Sequence, residues 1–132
     1  MTDSASQGAA PVRVMIVDDH PDVRYLIRMI IEDADLQIEV AGEAAGAREA
    51  VERLAEFAPD VVVLDARMPL VDGYEAAAML LERRPHLPIL LCSAIVDEEV
   101  RAQAAEAGIA ACLPKDALED IPRVALELEG RA

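Results

Sequence analysis

Aromatic side chains are almost missing from this chain of 132 residues, which holds two Tyr, one Phe and no Trp. Tyr25, Phe57 and Tyr74 are too few for a base-stacking platform and supply a flavin or nucleotide ring poorly. Positive charge is scarce as well. Twelve Lys plus Arg stand against 26 Asp plus Glu, a formal net charge of −14, which repels nucleic-acid phosphates and anionic membrane surfaces. Neither nucleic acid nor membrane is expected as a direct partner. Cysteine is limited to Cys92 and Cys112, far apart, without CxxC spacing or a His at zinc-finger distance, so both read as reduced core thiols. No run approaches the ~18 apolar residues of a membrane span, and the opening MTDSASQGAAP carries neither an apolar signal core nor a basic leader. A cytoplasmic location is expected.

What is present suits one globular domain. Apolar residues make up 54% of the chain and charged residues 29%, enough to bury a core and unlike a disordered composition. After a flexible tail over residues 1–10, residues 11–132 alternate five times between short apolar runs and stretches of helical spacing. Val12 to Val17 reads as a strand and Pro21 to Ala34 as a helix with Val23, Leu26, Ile27 and Ile30 on one face. Leu36 to Ala41 is a more polar, alternating strand. A helix from Ala45 to Phe57 follows, with Ala47, Val51, Leu54 and Ala58 in a stripe that stops at Pro59. The continuous run Val61 to Leu64 has the character of a strand covered on both faces. The third helix starts at Asp72 or Gly73 and shows Tyr74, Ala77, Ala78 and Leu81. Ile89 to Cys92 is the fourth strand. The fourth helix, Asp97 to Ala107, rests on only Val100, Ala104 and Ala107 and should be the loosest. Gly108 ends it, Ile109 to Leu113 is the fifth strand, and a last helix covers Ile121 to Glu129 behind Asp120 and Pro122.

Regular βα alternation with short loops implies right-handed crossovers and a parallel sheet covered on both faces. The fold class is therefore α/β, a doubly wound five-stranded sheet of flavodoxin-like order 2-1-3-4-5 in three α/β/α layers. Its ligand crevice lies at the carboxyl ends of strands 1 and 3. Past each buried run the chain places Asp18 and Asp19, Asp65, Ser93 and Lys115. The edge strand ends in Ala41, Gly42 and Glu43, judged too far from the crevice to matter.

Three carboxylates at one crevice repel one another unless a pKa rises or a cation binds. Hard oxygen ligands with open positions suit Mg²⁺, which takes one or two carboxylates and shares a substrate phosphate. Lys115 is the only lysine, the other eleven cations being Arg, so a compact ammonium is the choice at that position. Opposite the carboxylates it can hold a phosphoryl oxygen while the Ser93 hydroxyl donates to another. No His, Cys or Ser is placed as a better nucleophile, and a carboxylate attacking phosphorus gives an acyl phosphate. Asp65, ending the most apolar strand, is the expected acceptor.

Val17-Asp18-Asp19-His20, the stretch Asp65-Ala66-Arg67-Met68-Pro69-Leu70-Val71-Asp72-Gly73, Ser93-Ala94 and Leu113-Pro114-Lys115 span nearly the whole chain in order. Together they resemble the response-regulator receiver domains of two-component signalling. The resemblance implies that a sensor histidine kinase phosphorylates Asp65, that Asp19, Asp65 and the backbone carbonyl of Arg67 bind Mg²⁺, and that Asp18 acts through water. It further implies Ser93 as switch hydroxyl, Lys115 as phosphate-sensing cation, and a changed face of the fourth helix, fifth strand and fifth helix. That face could serve a downstream protein, a fused output domain or a homodimer. Such a domain is not an enzyme in its own right, although it assists its own phosphotransfer and dephosphorylation. The Asp-Asp-His triplet and Lys115-Asp116, where the family usually has Lys-Pro, are similar to receivers that precede LuxR-type DNA-binding domains. Cys112 stands where the family usually carries an inward-turning Tyr or Phe, so a switch here must rest more on Ser93 and the loop from Ala94 to Asp97.

Arg67 and Ile95 are candidates for modulating water access to the phosphoryl group. His20 reads as a helix-start residue rather than a metal ligand, for no second His or Cys lies near it. His86 reads as a solvated loop residue. A haloacid-dehalogenase phosphatase would need D-x-D and a cap domain. A flavodoxin-like electron carrier would need a hydroxyl-rich loop after strand 1 and flanking aromatics.

Overall fold

The computed structural model describes residues 10–130. Residues 1–9, most of the expected tail, lie outside the described residues. Strands β1 (Val12–Val17), β2 (Ile38–Ala44), β3 (Val61–Asp65), β4 (Ile89–Ser93) and β5 (Ala111–Pro114) alternate with helices. These are α1 (Pro21–Glu32), α2 (Ala47–Phe57), α3 (Gly73–Arg83), α4 (Glu98–Glu106) and α5 (Ile121–Glu129), with a 3-10 turn over Lys115–Asp120 before the last. All strand pairs are parallel in the order β2-β1-β3-β4-β5. The doubly wound sheet is the one the alternation implies.

Successive strand residues face opposite sides, and the two cores divide accordingly. Val12, Val14, Ile16, Val61, Val63 and Leu90 pack with Ile27 and Ile31 of α1 and Ile121 and Ala125 of α5. On the other face Met15, Val17, Val62, Leu64, Ile89 and Leu91 pack with Ala50 and Leu54 of α2, Ala77 and Leu80 of α3 and Ala104 of α4. β3 is buried along its whole length, as its uninterrupted apolar run requires. α4 contributes Ala104 as its one fully buried residue.

Several boundaries differ from expectation. β2 begins two residues later and runs three further, because a register shift at Val14/Met15 moves the pairing from Val14↔Val40 to Met15↔Gly42 and bulges Ala41. Leu36 is exposed rather than in the strand. α1 stops at Glu32, and its core side is Val23, Ile27, Ile30 and Ile31, leaving Leu26 outside with Tyr25 and Met29. α2 begins two residues late. The buried side of α3 is Gly73, Ala76, Ala77 and Leu80, one step round from the expected stripe, and Ala78 is exposed. β5 starts at Ala111, since the Ile109 amide is taken by Ala104 in closing α4.

Candidate functional site

β1, β3 and β5 deliver three groups to one end of the sheet. Past Val17 the Asp18 amide still donates to the Ala44 carbonyl of β2 at 3.1 Å, after which the chain turns away. The turn is closed locally, the His20 amide donating to Asp18 Oδ1 at 2.8 Å, and His20 takes the position before the first residue of α1. Asp65 ends β3 opposite Cys92, and the loop behind it returns through the Gly73 amide, which donates to the Ala66 carbonyl at 2.9 Å. Asp72 then starts α3 with a reciprocal cap: its carboxylate accepts from the Glu75 amide while Glu75 accepts from the Asp72 amide. Such a cap fixes where the loop after Asp65 rejoins the fold.

Lys115 is the first residue past β5, and its ammonium lies 2.7 Å from Asp65 Oδ1. Asp18 and Asp65 are the buried charged residues among those described, at 3% and 2% exposure. Asp19 is more open. Ligand atoms from Asp18, Asp19, His20 and Asp65 all lie within 4.8 Å of one another. Asp19 Oδ1 and Asp65 Oδ2 are buried without a hydrogen bond, although His20 Nδ1 stands 3.2 Å from both Asp18 Oδ1 and Asp19 Oδ1. Two orphaned carboxylate oxygens facing one space are an unstable arrangement for a folded protein. They fit a hard divalent cation.

The charge balance agrees. Burial raises the Asp18 carboxyl above its ordinary range, the His20 amide opposes that shift, and the Asp65 charge adds to it. For Lys115, burial pulls the ammonium down, but its hydrogen bond to Asp65 and the Asp65 and Asp18 charges outweigh this and raise it. It stays charged.

Ser93 ends β4, half-buried, paired with Pro114 and one residue beyond the partner of Asp65. Arg67 is exposed, its amide 3.4 Å from Asp65 Oδ1. A cleft of about 530 Å³ lined by Ala66, Arg67, Met68, Pro69, Asp72 and Tyr74 opens beside the loop that follows Asp65. Ile95 is 67% exposed. Cys112 is half-buried against the face that holds α2, α3 and α4. His86 is exposed. His20 does start a helix, yet its ring also lies among the carboxylates.

The edge strand is not remote from the site. Because β2 runs on to Ala44, Glu43 reaches α1, where Arg24 Nε donates to it at 3.0 Å and Arg28 pairs with its other oxygen. Arg24 Nη1 donates to the Asp18 carbonyl at 2.6 Å. The bulge at Ala41 left no trace in the hydrophobic pattern. The signal that could have found this pairing is Arg24 and Arg28, four apart on one helix side, with Glu39 and Glu43 on the neighbouring strand.

A parallel sheet with a cationic lysine and clustered carboxylates at its carboxyl end defines a phosphoacceptor-type α/β domain. The model of the response regulator receiver domain matches residues 14–125, and the chain belongs to that family of signalling domains. It is 40% identical over 96 residues to the chemotaxis protein CheY of Thermotoga maritima, covering 73% of this chain and 78% of that one. It is 38% identical over 110 residues to a protein-glutamate methylesterase/protein-glutamine glutaminase of Bradyrhizobium diazoefficiens, covering 82% of this chain. The chain spans about a third of the length of such methylesterase relatives. Among solved structures, the signal receiver domain of the putative response regulator NarL from Mycobacterium tuberculosis superposes with a TM-score of 0.80 at 34% identity, covering 93% of this chain and all of that one. A LuxR-family two-component response regulator from an Aurantimonas species gives 0.83 at 31% identity, with 92% and 88% covered. No helix among the described residues is long and apolar enough to cross a membrane.

Proposed function

We propose that Asp65 is the phosphoacceptor, that Asp18, Asp19, Asp65 and the Arg67 carbonyl hold Mg²⁺, and that Ser93 and Lys115 carry the phosphoryl state outward. The observation behind this reading is the asymmetry of Asp65. One oxygen is held by the Lys115 ammonium at 2.7 Å, and the other is buried with no partner.

In the reaction, an Asp65 carboxylate oxygen attacks the phosphorus of a sensor kinase's phosphohistidine. An O–P bond forms, the P–N bond breaks, and its electron pair leaves with the imidazole nitrogen. Bound Mg²⁺ would neutralise charge on the transferring group. Lys115 holds a phosphoryl oxygen as a point charge, and the Ser93 hydroxyl donates to another. With Cys112 in the β5 position, no ring there reports the change. The output passes instead through Ser93 and the Ala94–Asp97 loop into α4, whose thin apolar side lets a few kcal/mol shift it. That face is the one offered to a downstream protein, a fused output domain or a second copy, and among the described residues no large exposed hydrophobic lies on α4, β5 or α5. The domain works in the cytoplasm. Residues 11–132 as its bounds belong to the same reading.

Asp65→Asn tests the assignment. Wild type is expected to take label from a small phosphodonor only with Mg²⁺, and the variant none. Undiminished labelling of the variant rejects Asp65 as acceptor.

A further inference from the structure

Asp18 is held at both of its peptide groups, one by the edge strand β2 and the other by α1. Its amide donates to the Ala44 carbonyl at 3.1 Å, and its carbonyl accepts from Arg24 Nη1 at 2.6 Å. The second bond matters more, because the Asp18 carbonyl and the Asp19 amide share one rigid plane. Fixing that oxygen orients the plane from which Asp19 leaves the backbone, and so constrains the aim of Asp19 Oδ1, which is buried without a hydrogen bond and has His20 Nδ1 at 3.2 Å. Arg24 is in turn fixed at its other edge by Glu43, Nε to Oε1 at 3.0 Å, with both side chains about four-fifths buried, at 18% and 22% exposure. Arg28 holds the second Glu43 oxygen. A planar guanidinium can grip a carbonyl and a carboxylate at once, which a lysine ammonium does with less fixed geometry.

We infer that Arg24 is a positioning residue for the metal-binding turn, with Glu43 on β2 as its anchor. The inference rests on the Mg²⁺ reading above. Arg24 touches neither metal nor phosphate. It presets the Asp18–Asp19 peptide so that Asp19 need not reorganise when a cation arrives. Supporting groups of this kind commonly govern metal affinity.

The test uses Arg24→Lys and Glu43→Gln in the 132-residue protein, titrated with MgCl₂ in the absence of phosphodonor and followed by amide NMR shifts. Arg24→Lys is expected to weaken Mg²⁺ about tenfold, and Glu43→Gln to weaken it less. The Mg²⁺ level giving half-maximal phosphorylation should rise by the same factor, with the rate at saturating Mg²⁺ unchanged, whereas a purely structural role would lower the unfolding midpoint in EDTA and leave affinity alone. Wild-type affinity in both variants overturns the inference whatever happens to stability. Should Arg24→Lys not fold, Glu43→Gln decides by the same criterion. Wild type without saturable Mg²⁺ binding overturns the metal reading itself, and this inference with it.

Discussion

Cys92 and Cys112 illustrate what a single residue's surroundings decide. They sit on adjacent strands, Cys92 opposite Leu113 and Cys112 opposite Leu91, and they pack into different faces of the sheet. Both are free. Burial pushes the Cys92 thiol up to about 12, with the Asp65 charge adding to the effect. The folded state therefore keeps its proton where the unfolded chain, with a thiol near 9, has lost it. A group raised in the folded state contributes stability that is whole below the unfolded value and is lost as pH climbs toward the folded one, here between about 9 and 12. By about pH 10 that loss is on the order of 1 kcal/mol. Urea unfolding of wild type and Cys92→Ala at about pH 8 and about pH 10 measures it: wild type should lose on the order of 1 kcal/mol more than the variant. Equal losses would mean the thiol is open to water in the folded state. At this same scale Asp18, Asp65 and Lys115 were legible in the sequence, since each directly follows or ends an apolar strand and the parallel topology then forces them together. His20 and Arg24 were not. Their roles depend on side-chain directions around one turn, which no periodicity encodes.

At the scale of elements, the loop after Asp65 depends on Gly73. A Cβ there would stand 2.4 Å from the Asp65 carbonyl and 2.8 Å from Ala66 Cα, both backbone, so neither can move aside without displacing the end of β3. Gly73→Ala is expected to cost about 1–3 kcal/mol as an overpacked site, and to slow phosphorylation by more than that loss of folded protein explains. Unfolding midpoints combined with initial labelling rates at a temperature where both proteins are folded check this. An unchanged rate would separate the α3 start from the acceptor. The five strands and five helices were readable because each strand's apolar run and each helix's spacing agree with the parallel fold. The shifts arose where a local feature overrode the pattern. A bulge at Ala41 extended β2, and small residues moved the buried side of α3 by one position, since alanine fits a core or a surface equally well. The 3-10 turn from Lys115 to Asp120 has no apolar period to announce it.

The whole molecule is governed by its charge. With 12 basic against 26 acidic side chains, most carboxylates lack a counter-charge even where ion pairs form, and surface pairs add little. Net repulsion destabilises the compact state, so monovalent salt should raise the unfolding midpoint by screening it. Mg²⁺ should do more than screen. A cation that binds the folded site at ten times its Kd adds about 1.4 kcal/mol, on top of whatever the same ionic strength of NaCl supplies. Asp18, buried and raised by desolvation and by Asp65, stands to gain most from the cation's charge. The comparison is thermal unfolding in NaCl and MgCl₂ at matched ionic strength, for wild type and Asp19→Asn. The divalent salt should hold a clear excess in wild type, and that excess should vanish in Asp19→Asn. If the two salts act alike on wild type, the acidic cluster feels cations only as a diffuse atmosphere, and the clustered carboxylates are not a binding site.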